Sequence, residues 1–105
     1  MTTADDIEAV AAALPTLGRF GFDVELPLPI DDRFLAQVDA SRRFILDPPD
    51  PRLAILRRGA YPLKHAVQLH AGIYVSVGAL IAGAMLEGYE PVRKNPGPNC
   101  RFAKA

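Results

Sequence analysis

The chain has no tryptophan, two histidines and one cysteine, Cys100. A single cysteine excludes an internal disulfide, and its rarity fits a reducing compartment. The usual metal-ligand sets are missing too. His65 and His70 are five residues apart, about 140° around a helix, and no cysteine or acid lies beside them to complete a site. Two histidines share a helical face at a spacing of four. Net charge is likewise absent, because twelve Lys and Arg balance twelve Asp and Glu. The N-terminus carries Asp5, Asp6 and Glu8 where a secretory leader needs bases, and no apolar segment follows. The sequence therefore predicts a cytoplasmic protein.

Catalytic patterns are also lacking. Ser41 and Ser76 have no nucleophile elbow around them, and Ser76 reads as a helix cap. Gly78 and Gly83 form no phosphate-binding pattern, because no Gly-rich turn opens the helix that holds them. The carboxylates fall on helix surfaces or in loops and supply no acid–base pair. Cys100 has Arg101 beside it but no histidine base marked for it, so it reads as a structural cysteine facing the core from a strand. The expectation is a protein that is not an enzyme, with no cofactor and no metal.

Present instead is the composition of a folded domain: half the residues are apolar and 23% are charged. Residues 1–105 are short enough for one domain. Sixteen alanines, and nine arginines against three lysines, point to a GC-rich bacterial genome. The neutral total hides a split. Residues 1–50 carry ten acids and four bases, whereas residues 51–105 carry eight bases and two acids. A split of this kind can mark an interaction surface on the basic half, although halves folded against each other cancel in part.

Thr3 and Asp6 form a capping-box pattern, and Ile7, Val10, Ala11 and Leu14 repeat at helical spacing up to Pro15. Residues 20–28 alternate apolar and polar around Phe22, Val24 and Leu26, which predicts a half-buried edge strand. Asp31 caps a second helix with the stripe Phe34, Leu35, Val38 and Ile45, broken by Arg42. The run Asp47-Pro48-Pro49-Asp50-Pro51 ends it. Residues 52–58 read as a short strand, 62–71 and 75–87 as helices, and 89–94 and 100–104 as strands joined by the turn Asn95-Pro96-Gly97-Pro98-Asn99. Residues 65–86 carry no formal charge. At ~33 Å a helix of that length could span a bilayer, but Gln68 and His70 are unfavourable in hydrocarbon and favour a buried helix.

The predicted fold class is α+β: a small single domain, about four helices around an apolar central helix (73–87), with a small antiparallel sheet that includes a C-terminal hairpin. The order strand 52–58, helix 62–71, helix 75–87 resembles that of ribbon-helix-helix proteins, with Ser76 at a phosphate-contacting helix start. That resemblance implies DNA binding. The ribbon face would be Arg52, Ala54, Leu56 and Arg58, with little to read a base edge, so contacts would go to the backbone. The expected role is a non-enzymatic interaction or regulatory protein that binds another macromolecule through Arg57, Arg58, Lys64, Arg93, Lys94, Arg101 and Lys104. A protein partner is favoured, with nucleic acid as the alternative, no membrane partner, and room for a homo-oligomer.

Overall fold

The computed structural model describes residues 1–24 and 26–105. Glu25, part of the predicted 20–28 strand, lies outside them. The described elements are α1 (Ala4–Ala13), β1 (Leu17–Gly18), β2 (Gly21–Phe22), α2 (Asp32–Leu46), 3-10 turns at Pro51–Leu53 and Ile55–Arg57, α3 (Ala60–Ala71), α4 (Val77–Leu86), β3 (Tyr89–Val92) and β4 (Arg101–Lys104).

The caps that start the helices are those visible in the sequence. The Thr3 hydroxyl accepts from the Asp6 amide while the Asp6 carboxylate accepts from the Thr3 amide, closing the capping box of α1. Those bonds hold the Asp6 carboxyl below its ordinary range. Asp31 Oδ1 accepts from the Phe34 amide at 2.8 Å and opens α2. Ser76 Oγ accepts from the Ala79 amide at 3.2 Å and opens α4.

The α4 helix is the spine. Every residue from Val77 to Ala84 is buried, and the helix packs against α1, α2, α3, β2 and β3. Its apolar stretch is shorter than the predicted 73–87, because residues 73–76 form the loop that feeds it. No described helix is long and apolar enough to cross a membrane. Small residues let α2 approach: a Cβ on Gly83 would lie 3.0 Å from Ser41 Cβ. The buried face of α2 carries polar groups that satisfy one another. Ser41 Oγ donates to the Gln37 carbonyl at 2.9 Å, and Gln37 Oε1 accepts from the Ser76 amide at 2.9 Å. Arg42, the break in the apolar stripe, reaches Glu87 Oε2 at 2.7 Å and Thr2 Oγ1 at 3.1 Å, tying α2 to the end of α4 and to the N-terminus.

Two predicted strands are corrected. Residues 52–58 form 3-10 turns, because Pro51 has a fixed helical φ and the Asp50 carboxylate caps the Arg52 amide at 2.9 Å, setting a tight turn that Ile55–Arg57 repeats. Asp50 also takes the Arg52 guanidinium at 2.7 Å, which lowers its carboxyl to about 2. Without that strand the ribbon-helix-helix order is lost. In residues 20–28 the extended pairing stops at Phe22, since Asp23 takes a left-handed backbone with φ 62°, and Pro27 returns to bridge Gly18. Leu26 is exposed.

The tail is as predicted in kind: β3 and β4 pair antiparallel, with Tyr89 opposite Lys104 and Val92 opposite Arg101. The two sheets have two strands each, and β4 packs on the second 3-10 turn.

Candidate functional site

The basic residues picked out by sequence stand in several different settings. Lys94 and Arg101 line a cleft of about 340 Å³ around the 95–99 loop. Arg57 is exposed on the 3-10 turn against which β4 packs. Arg58 is exposed and donates its Nε to the Arg52 carbonyl at 3.0 Å. Lys104 is exposed at the end of β4. Arg93 is already engaged: it pairs with Asp23, donates to the Gly97 carbonyl at 3.1 Å and lies 4.6 Å over the Phe22 ring. Lys64 lines the neighbouring cleft, which shares Pro98 and Asn99 with the first. It sits on α3 with 8% of its surface exposed.

That second cleft, of about 260 Å³, is lined by Phe20, Tyr61, Lys64, Tyr74, Val77, Pro98 and Asn99. Each wall has a local cause. Helical spacing places Tyr61, His65 and Leu69 along the outward face of α3 while Ala60, Leu63, Lys64 and Val67 turn inward. The ring of His65 stands edge-on to that of Tyr61, with centroids 4.8 Å apart. Gly72 caps α3 in a left-handed conformation, and the Val75 amide donates back to Gln68 Oε1 at 3.3 Å. This turn brings Tyr74 alongside Lys64, whose Nζ lies 4.9 Å from the Tyr74 ring centroid and 5.9 Å from that of Tyr61. Asn99 Oδ1 accepts from the Tyr61 amide at 2.9 Å and the Cys100 amide at 3.0 Å, which fixes the last wall.

Phe20 is held from three directions. Arg19 and Phe20 form the turn between β1 and β2. The Gly78 amide donates to the Arg19 carbonyl at 3.0 Å, and a Cβ on Gly78 would meet the Gly18 oxygen at 2.2 Å. Gly21 has φ +109°, and a Cβ there would meet the Pro98 oxygen at 2.4 Å. The Arg19 amide donates to the Leu26 carbonyl at 2.8 Å. The tip is therefore fixed with its phenyl ring half in water, and the Arg19 guanidinium lies 5.8 Å from that ring. Beyond Phe20 and Tyr74 lies a third hollow, of about 600 Å³, lined by Arg19, Phe20, Arg33, Ala36, Gln37, Ile73 and Tyr74.

Phe20, Tyr61 and Tyr74 share one hollow and Phe20, Ile73 and Tyr74 the next, all partly exposed, and Leu69, 85% exposed, lies two turns along α3 from Tyr61. No described carboxylate lines either hollow, and Arg19, Arg33 and Lys64 do. The sequence reading missed this cluster because it assigned Phe20 to a strand. A usable signal was present, since α3 contains no acid and Lys64 is its single formally charged residue.

The remaining candidates are quieter. Cys100 is buried just before β4, and desolvation pushes its thiol up to about 12 against the opposing pull of Arg93. His70 is exposed and sets its ring edge-on to Phe44 at 5.7 Å. Among the described residues no three His, Cys, Asp and Glu side chains gather as metal ligands would. No protein-family model, curated protein or solved structure matches the chain.

Proposed function

We propose that the protein is a non-enzymatic binding protein that docks a protein partner on the face formed by α3 and the Arg19–Phe20 tip. The observation that supports this reading is the cluster of exposed apolar side chains on and after α3: Tyr61 and Tyr74 line one hollow with Phe20, Ile73 and Tyr74 line the next, and Leu69, on the same outward side of α3 as Tyr61, is 85% exposed. Single exposed leucines are ordinary, whereas a cluster of exposed aromatic and aliphatic side chains held by fixed backbone is a feature of interaction sites. Tyrosine and phenylalanine contribute large contact area with few rotatable bonds. The experiment is affinity capture from a lysate with the wild type and with a Leu69→Asp/Tyr74→Ala variant, each with and without nuclease. The expected result is a protein that the wild type retains after nuclease and the variant loses. Equal capture by the variant, or loss on nuclease treatment, overturns the reading.

A second reading, contact with a nucleic-acid backbone, draws on the cleft where Lys94 and Arg101 meet, with Arg57 on the turn beside β4. Its mark would be steep salt dependence on a generic oligonucleotide.

A further inference from the structure

Lys64 has 8% of its surface exposed, its Nζ is not sealed from solvent, and it makes no ion pair and no side-chain hydrogen bond among the described residues. Its neighbours are the rings of Tyr74 and Tyr61, whose faces attract a cation but do not replace a counter-ion. The stem is buried while the ammonium group reaches the cleft, so it presents an unpaired positive charge to whatever enters. The cleft above it opens to the surface, and its other walls are apolar except for Asn99. Because Asn99 Oδ1 is occupied by two backbone amides, its Nδ2 donors remain for a visiting acceptor.

We infer that the Lys64 cleft is an anchoring subsite for one carboxylate side chain of an acidic, apolar segment of a partner protein; this rests on the docking face proposed above. The complementarity extends past the cleft. On the far side of Phe20 and Tyr74 the larger hollow is lined by Arg19 and Arg33, so the apolar ridge has cations on both flanks and no described acid. An extended segment crossing that ridge places one acid over Lys64, its apolar side chains on Phe20, Tyr74 and Ile73, and a second acid toward Arg19 and Arg33. A nucleic-acid strand fits less well. Leu69 and Ile73 offer no π-face to a base, and phosphates repeat along a track of cations, whereas Lys64 lies singly inside a hollow of about 260 Å³.

The test uses a random-peptide phage library selected on the intact protein. The wild type is expected to enrich peptides with Asp or Glu beside large apolar residues. Replacing that acid by its amide in a synthesised winner should weaken binding about tenfold, and Lys64→Met should weaken it equally. In Lys64→Met protein the acid-to-amide change should then cost nothing further, which is the signature of one direct contact. The peptide substitution needs no protein variant, so the result stands even if Lys64→Met folds poorly. Enrichment of acid-free apolar peptides would overturn the Lys64 assignment and leave the docking face intact. No enrichment, or enrichment indifferent to Leu69→Asp/Tyr74→Ala, would overturn the docking face itself. Displacement of the winner by oligothymidylate at equal concentration would overturn the assignment in favour of stacked bases.

Discussion

Lys64 holds its Nζ 4.9 Å from the centre of the Tyr74 ring, although the two residues belong to different turns of chain and meet only because Gly72 reverses the backbone after α3. The contact positions a side chain whose stem is buried and whose ammonium head reaches the cleft. Cation–π attraction is worth about 0.5–2 kcal/mol, comparable to the residual desolvation left when the group can still reach water through a cleft. Lys64→Met is therefore expected to change the free energy of unfolding by less than about 1 kcal/mol, measured by urea denaturation. A loss of several kcal/mol would make Lys64 a structural residue.

Gly78 carries a stricter demand. A Cβ there would approach the Gly18 oxygen to 2.2 Å and the Arg19 oxygen to 2.5 Å, and both are backbone atoms that cannot swing aside. Gly78→Ala should cost about 1–3 kcal/mol or more and should shift the Arg19–Phe20 tip. Gly83→Ala, whose new methyl group meets Ser41 Cβ at 3.0 Å, should cost less. Equal losses for the two variants would show that the tip does not depend on the approach at Gly78.

Leu80 and Ile81 are fully buried in the middle of α4. Either residue changed to alanine should destabilise the protein by about 2–5 kcal/mol, because the helix is packed on several sides and the cavity cannot collapse easily. Calorimetric or denaturant unfolding checks this, and a change near zero for both would remove α4 as the spine.

Cys100 gives a pH dependence with a definite sign. Its thiol rises from an ordinary value of 9.0 to about 12 in the folded protein. The folded state therefore keeps a proton that the unfolded chain gives up. The resulting stabilisation is intact below about pH 9 and is lost as the pH climbs toward about 12. In Cys100→Ala this component of the alkaline loss should be missing when unfolding is followed from pH 8 to 11. Native Cys100 should also resist thiol reagents at neutral pH and react once urea unfolds the chain. Rapid native labelling would contradict its burial.

The elements readable from sequence were those with local causes. Thr3, Asp31 and Ser76 cap helices through side chains a few residues from the amides they satisfy. The uncharged stretch of residues 65–86 marked the most buried helix, and the turn at residues 95–99 marked the hairpin. The false strand at 52–58 also had a local cause, the Asp50–Pro51 turn, which the alternation of Arg52, Ala54, Leu56 and Arg58 masked. The candidate site was not legible because it is assembled from distant parts. Gly18 and Gly78 are sixty residues apart in sequence, and Gly21 meets Pro98 from farther still. Lys64 was readable in part, since it follows Ala60 by one helical turn and falls on the buried side of α3 with Leu63 and Val67.

The contact between Gly21 and Pro98 bears on when the docking face comes into being. The Phe22 amide donates to the Pro98 carbonyl at 3.2 Å, and Asn99 holds the start of α3. A nascent chain that has emerged from the ribosome only as far as α4 contains Phe20, Tyr61, Lys64 and Tyr74 but lacks Pro98 and Asn99, which supply one of the three anchors of the tip and one wall of the cleft. On the docking reading proposed above, a chain that stops at α4 presents an unfinished cleft, so an incompletely made chain would compete poorly with a finished one.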